Sequence, residues 1–480
     1  MVIVMLFHYI LLALLTAQSP LSKPNPAATY HRDPKPQPEE AVTQDWPCLL
    51  GATHNGISRE TKLLKQFSDE QPHLVWEMKT GRGYSAPSIV GNKLVYIHRI
   101  DDREVIECLQ ATTGKRYWKH DYPTNYRDRY GYNDGPRASP VIDESRVYTL
   151  GAEGKLYCFN LENGKEIWDR DLFAEFGLTQ DFFGVSSTPL VEGDLLIVNL
   201  GASGGPCVIA LDKRNGATIW QTGNEWGSSY ASPIPAQIHG QRRVLVFAGG
   251  ESRPPTGGLL CIDPTNGQIN FRFRWRSKKY ESVNAACPVV ADDRVFVSAS
   301  YETGGALVRV KADFTHEELW TTQKLGTHFG TSIVQNGFLY GFDGRHRENA
   351  ALVCMNMQTG EEVWRFVPQW IEKYQLYSRE QEKSYGTYRA SLVLVDGQFL
   401  CLGEFGHLLW LDLSPKGHRI LARTWLFAAV DTWTAPVIRG GLLYVTQNSR
   451  DFISGQPPRL LCYDLRGHPD KGDANPDSGP

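Results

Sequence analysis

One unit recurs eight times along the chain, about 50 residues apart, and it limits the fold more than any other feature. Each copy opens with small residues and usually a proline: Ser85-Ala86-Pro87, Ala138-Ser139-Pro140, Ser187-Thr188-Pro189, Ala231-Ser232-Pro233, Ala286-Cys287-Pro288 and Thr434-Ala435-Pro436. Two degenerate copies open at Thr331-Ser332-Ile333 and Ala390-Ser391-Leu392. A β-rich stretch follows, such as Leu94-Val95-Tyr96 or Arg146-Val147-Tyr148, then a third apolar run and a glycine turn. Three of those turns are Asn-Gly (Asn163-Gly164, Asn215-Gly216, Asn266-Gly267), the dipeptide that best tolerates positive φ at both centres of a two-residue hairpin. Four residues past each turn glycine stands a large aromatic: Trp118, Trp168, Trp220, Phe271 and Trp364. Trp320 and Trp425 are read as closing the two units that lack the turn.

A four-stranded unit of this length, repeated eight times, predicts an all-β fold: an eight-bladed β-propeller with four-stranded blades over residues 74–466. Trp76 precedes the first unit and has no strands of its own, while the last unit stops after its third strand. The segment around Trp76 therefore supplies the missing outer strand. This non-covalent closure by an N-terminal strand removes an open sheet edge.

The flanks read differently. Residues 1–18 contain an apolar run that fits a signal peptide, with an uncleaved anchor as the alternative. Residues 19–47 are a Pro-rich linker expected to act as an extended tether, residues 48–73 an N-terminal extension, and residues 467–480 a disordered tail without apolar content. A net charge of −3 gives no electrostatic footprint for nucleic acid, and no other stretch could span a bilayer. The localisation implied is extracytoplasmic: periplasmic or cell-envelope associated.

Nine cysteines are an odd number for an exported chain. Cys108, Cys158, Cys261 and Cys354 each lie six residues before a turn glycine, and Cys462 holds the matching place in the last unit. Such positions sit a blade apart, beyond disulfide range, so they read as small buried hydrophobes.

The run Ala111-Thr112-Thr113-Gly114-Lys115 leading to Trp118 resembles the tryptophan-docking repeat of quinoprotein-type (PQQ-like repeat) propellers. The resemblance covers about 390 residues, and Asp45-Trp46-Pro47, Gly51 and Gly56-Ile57-Ser58 are similar to secreted members. It implies that Trp76, Trp118, Trp168, Trp220, Trp320 and Trp364 dock on neighbouring blades. That family contains pyrroloquinoline-quinone (PQQ) alcohol dehydrogenases and non-catalytic propellers such as BamB. The dehydrogenases hold the quinone between a Trp and a disulfide of adjacent cysteines, beside calcium bound by Glu, Asn and Asp. No Cys-Cys pair and no Cys-x-x-Cys-His haem site occur here. Glu251, Asn284, Glu302, Glu404 and Asp431 are the candidate calcium oxygens.

Two catalytic motifs fail on context. Gly201-Ala202-Ser203-Gly204-Gly205 matches a nucleophile elbow but lies between two strands, where a strand-to-helix turn is needed. His316-Glu317-Glu318-Leu319-Trp320 lacks the second histidine of a zinc helix. No catalytic or metal residue is therefore assigned.

Residues entering the inner strands should ring the channel mouth, and Tyr84, Arg137, Tyr230, Asn284, Arg389, Asp431 and Trp433 are the ligand-binding candidates. Three aromatic-rich insertions follow Trp118, Trp168 and Trp364, and insertions in a repeat array gather on one face. The two arginines could grip an anionic group or be paired with local acids such as Asp134. The reading is a binding or scaffold propeller of BamB-like type, taking a protein or small polar ligand at the mouth and no cofactor. The alternative is a PQQ- and calcium-dependent alcohol or polyol dehydrogenase.

Overall fold

The computed structural model describes residues 21–67 and 71–467. The apolar run within residues 1–20 and all of the C-terminal tail after Gly467 lie outside them, and with them the readings of a signal peptide and of tail disorder. Among the described residues no helix is long and apolar enough to cross a membrane.

Eight antiparallel sheets, each with four strands of the repeat, form the propeller. In the second blade the strands are Val141–Asp143, Arg146–Leu150, Lys155–Asn160 and Glu166–Asp171, running from inner to outer edge. The eighth blade takes its outer strand, His73–Lys79, from the N-terminus. It pairs with Arg459–Asp464, placing Trp76 opposite Cys462 as Trp118 stands opposite Cys108 and Trp168 opposite Cys158. All nine cysteines are buried free thiols.

The repeat sequence acts at the seams between blades. Each docking indole donates to a carbonyl of the next blade: Trp76 to Ala111 (2.8 Å), Trp118 to Leu161, Trp168 to Lys213, Trp220 to Pro264, Trp320 to Met357 and Trp364 to Ser414. The turn glycine lies flat under the ring. Gly164 has φ +69°, and a Cβ there would stand 2.5 Å from Trp118. The small opening residues make a second belt nearer the axis. The backbone N–H of Ala86 donates to Ser139 Oγ, Ser139 to Thr188 Oγ1, Thr188 to Ser232 Oγ, Ser232 to Cys287 Sγ and Cys287 to Thr331 Oγ1. A short side chain is needed there because its oxygen or sulfur must meet the neighbouring backbone directly. In the two degenerate copies the strands begin earlier relative to the opening residues, by one residue at Ile333 and by two at Ser391.

Two sequence expectations need correction. Trp425 does not hold the repeat position of its blade; it pairs with His407, and its indole donates to Phe405 in the same blade. The docking ring is Trp410 on the third strand, paired with Ala422, so large and small residues have exchanged strands. The Pro-rich segment is not a free tether in its described part, residues 21–47. Ala28–Tyr30 adds a fifth strand to the eighth blade, and Trp46 is buried, exchanging two backbone bonds with Ile89. Proline removes donors without preventing a segment from using its remaining N–H groups against an existing edge.

Beyond Trp46 the chain crosses the central channel. Pro47 accepts from Ile142 in the second blade, Gly56 accepts from Leu394, and Ile57–Ser58 pairs in parallel with the inner strand of the seventh blade. Asp45 and Glu60 fasten the two ends, accepting from Gly91 and from Gly440 and Gly441 at inner-strand turns. Residues 45–60 therefore plug one end of the channel.

Candidate functional site: a blind aromatic funnel

In a four-stranded blade the loops between blades and those joining second to third strands emerge at the same end, opposite the plug. There the channel opens into a cavity of about 300 Å³. Leu49 and Leu50 of the plug contribute to its lining from the closed end. Seven of the eight residues entering the inner strands line it: Tyr84, Arg137, Ser186, Tyr230, Phe329, Arg389 and Trp433. Two of the sequence candidates do not. Asn284 is fully buried, its amide donating to the carbonyls of Ala248 and Trp275. Asp431 turns away to Arg347, 2.7 Å distant, and burial raises its carboxyl.

Aromatic rings form most of the wall. Tyr84 stacks on Trp433 with centroids 5.1 Å apart, and Tyr132 and Phe329 approach the same indole at 5.4 and 5.3 Å. The first two insertions supply Tyr130, Tyr132, Phe182 and Phe183. The third does not reach the funnel. It folds as a hairpin, Gln369–Leu376 with Arg379–Gly386, whose Tyr374 and Tyr385 pack on Trp425 and whose tip exposes Tyr377.

Both ring arginines are paired, and neither uses Asp134. Arg137 meets the buried carboxylate of Asp128 at 2.5 Å and lies over Tyr84 and Phe183. Arg389 is held by Glu404, whose side chain is inaccessible to solvent. Glu404 also accepts from Arg347 (3.1 Å) and from the indole of Trp433 (2.9 Å), so one carboxylate orients three neighbours. Of the two readings of these arginines, pairing with local acids is the one found, with Asp128 and Glu404 in the place of Asp134, and each guanidinium is neutralised within its own wall.

The cation that sequence reasoning missed is Arg345, on the loop joining second and third strands of the sixth blade. It lines the funnel, lies 4.5 Å over the ring of Tyr301, and has no ion pair among the described residues. His328 beside it keeps a neutral ring: burial, then the nearby Arg389 and Arg345, lowers its pKa to about 3. Its Nε2 meets the hydroxyl of Tyr301 at 3.0 Å, and its buried Nδ1 has no partner. The loop rule alone would have pointed to Arg345 and Tyr301, because both follow second strands.

These walls do not fit a calcium-bound quinone. Glu404 and Asp431 are committed to arginines, Glu251 to Arg129 and Tyr280, and Glu302 to Lys279. Among the described residues no three His, Cys, Asp or Glu side chains gather as a metal site, and Cys287 is the sole cysteine of the lining.

Fold and site together define an eight-bladed propeller with a plugged channel and a blind, aromatic mouth. The chain belongs to the family described as outer membrane protein assembly factor BamB, whose model matches residues 101–366. It is similar to the outer membrane protein assembly factor BamB of Alkalilimnicola ehrlichii, 27% identical over 197 residues, covering 41% of this chain and 44% of that protein. It is also similar to the quinohemoprotein alcohol dehydrogenase ADH-IIG of Pseudomonas putida, 29% identical over 281 residues, covering 54% of this chain and 36% of that enzyme. The chain thus spans less than half the length of these curated relatives. Solved structures share the fold: BamB from Moraxella catarrhalis at TM-score 0.54, 14% identity and coverage of 84% of this chain and all of that one, and quinohemoprotein alcohol dehydrogenase from Comamonas testosteroni at 0.60, 12% identity and 91% and 82% coverage.

Proposed function

We propose that this protein is an extracytoplasmic, envelope-associated binding propeller of the outer-membrane assembly type, and that its funnel receives a side chain or short segment of a partner polypeptide. The carrying observation is the use of Glu404. A carboxylate that a dehydrogenase would aim at a cation here accepts from Arg389, Arg347 and Trp433, which stiffens an aromatic wall. A rigid apolar pocket rimmed by tyrosine, tryptophan and arginine suits a protein anchor residue, since those residue types dominate binding energy at protein interfaces. Family membership supports the same reading.

The test is a pair of titrations on the purified chain. Extended peptides carrying a central aromatic residue should bind, and Trp433→Ala should weaken them at least tenfold. PQQ with calcium should show neither saturable binding nor dye-linked alcohol oxidation. Quinone binding with turnover would reverse the assignment to the dehydrogenase reading.

A further inference from the structure

A second and larger cavity, about 440 Å³, lies off the axis on the loop side of blades two to four. It falls within the range of small-ligand pockets, about 300–1,000 Å³. Its walls come from the loops around residues 178–185, 200–204, 224–228 and 251–256, with Arg129 on the border toward the funnel. The rejected Gly-x-Ser-x-Gly sequence forms part of this wall.

The charges lining it are mostly cancelled. Arg129 meets Glu251 at 2.7 Å, and Glu225 is paired with Arg272. Asp181 is largely buried and accepts from Ser228 Oγ and the Glu251 N–H; burial raises its carboxyl to about 6, so it carries its proton over much of the mildly acidic range. Of the two arginines that line it, Arg253 is without an ion pair among the described residues, and it lies 3.7 Å over the ring of Tyr280. A phosphate or polyanion would require a convergent set of free cations, which these walls do not offer.

What they offer is short neutral hydrogen-bonding groups. Thr179, Ser203 and Asn224 line the cleft, and their side chains make no hydrogen bond among the described residues. Gly204 leaves its peptide group uncovered, since a Cβ there would meet nothing within 4 Å. Trp226, Phe173 and Leu178 add apolar surface on the same walls. Hydroxyl groups spaced around a ring with apolar C–H faces match this mixture of donors, acceptors and apolar patches.

We infer that this cleft is a saccharide-binding site, taking one or two sugar residues as a free sugar or as part of a glycan. Three free disaccharides (maltose, cellobiose and N,N′-diacetylchitobiose) serve as soluble probes, read by saturation-transfer NMR and calorimetry. Co-sedimentation with purified peptidoglycan serves as the polymer probe. At least one probe should bind, with a soluble Kd of about 1 mM or tighter. Ser203→Trp, which fills the cleft from an exposed loop position, should weaken that binding at least tenfold with Tm unchanged. Asn224→Ala should weaken it severalfold, and Trp433→Ala in the funnel should leave it intact. Binding to the polymer alone identifies a glycan ligand, and binding to a disaccharide alone a free sugar. Absence of binding to all four probes, or binding that survives both cleft variants, overturns the inference. Loss with Trp433→Ala would place the sugar in the funnel and overturn it equally.

Discussion

The seam between the second and third blades and the seam between the seventh and eighth solve the same problem with different parts. In the first, Trp168 on an outer strand covers Gly216 and donates to Lys213, three residues past the small third-strand residue Ala210. In the second, the matching carbonyl is that of Leu465, three past Cys462, and the N-terminal segment already occupies it through the N–H of Leu64. Trp410 therefore donates to the carbonyl of Leu64 itself, 3.0 Å away, and does so from the third strand. A third variant joins blades four and five. Phe271 has no N–H, and His239 Nε2 supplies the bond to Val310 at 2.8 Å. The seams are thus defined by one satisfied carbonyl per blade junction, and tryptophan at a fixed repeat position is only the commonest way to meet it. A buried unpaired carbonyl costs as much as a lost hydrogen bond, so every seam finds a donor.

The largest effect should come from removing the improvised seam altogether. A chain starting at Gly81 loses the closing strand, in which Val75, Trp76 and Met78 are fully buried, worth on the order of 6 kcal/mol by transfer alone. It should aggregate or fail to express as a soluble monomer. A chain starting at His73 keeps that strand but loses the fifth strand Ala28–Tyr30, the plug and the Leu64 backbone that serves Leu465 and Trp410; gel filtration should show a monomer, and thermal unfolding a lower Tm. Equal behaviour of the two truncations would mean that closure does not depend on the strand.

At single residues, Trp168→Ala and Trp410→Ala should each cost about 3–5 kcal/mol in denaturant unfolding. The prediction is their similarity, since the two rings occupy different strands. A negligible effect at Trp410 would return the docking role to Trp425.

The propeller was legible because its instructions are local and repeated: small residue, strand, turn glycine, aromatic. The plug was not, because residues 45–60 hold their place by backbone bonds to distant inner strands and by two carboxylates on turns, which leave no periodicity. The funnel was half legible. Tyr84, Arg137, Tyr230, Arg389 and Trp433 follow from their place in the repeat, while the acids that neutralise the arginines lie on loops whose course no pattern fixes. Asn284 occupies an equivalent sequence position and is drawn inward because its amide has two carbonyls to serve.

The funnel shows the same division between its two sides. Asp128, on the regular side, releases one arginine when neutralised; Glu404, on the closing side, releases two and an indole. Glu404→Gln should therefore destabilise by about 3–5 kcal/mol and Asp128→Asn by less, both read by thermal unfolding. A larger effect at Asp128 would reverse the order of the two walls. The off-axis cleft next to the regular side carries a pH handle. The carboxyl of Asp181 is raised from 3.8 to about 6, so it holds its proton in the folded chain while the unfolded chain releases it. Stability from this group is full below about pH 4 and falls as pH rises through about 6, by about 2–3 kcal/mol. Asp181→Asn should be flat across that window, and a parallel pH profile for the two proteins would contradict the raised pKa.

The smallest expected effect is the sharpest test of what defines a seam. If the carbonyl of Val310 needs a donor, His239→Ala should cost about 1 kcal/mol, the usual net value of one hydrogen bond, with little loss of packing because the ring is only partly buried. His239→Gln, whose amide can donate from a side chain of similar reach, should recover most of it. Phe271→Trp should make His239 dispensable: an indole at the ordinary repeat position can take over the carbonyl, so His239→Ala in that background should be nearly silent. A double-mutant cycle measures this coupling directly. Additive costs would mean that the histidine serves some other contact, such as its edge-on approach to Phe314 at 6.1 Å, and that the fourth seam tolerates an unpaired carbonyl that the other seven avoid.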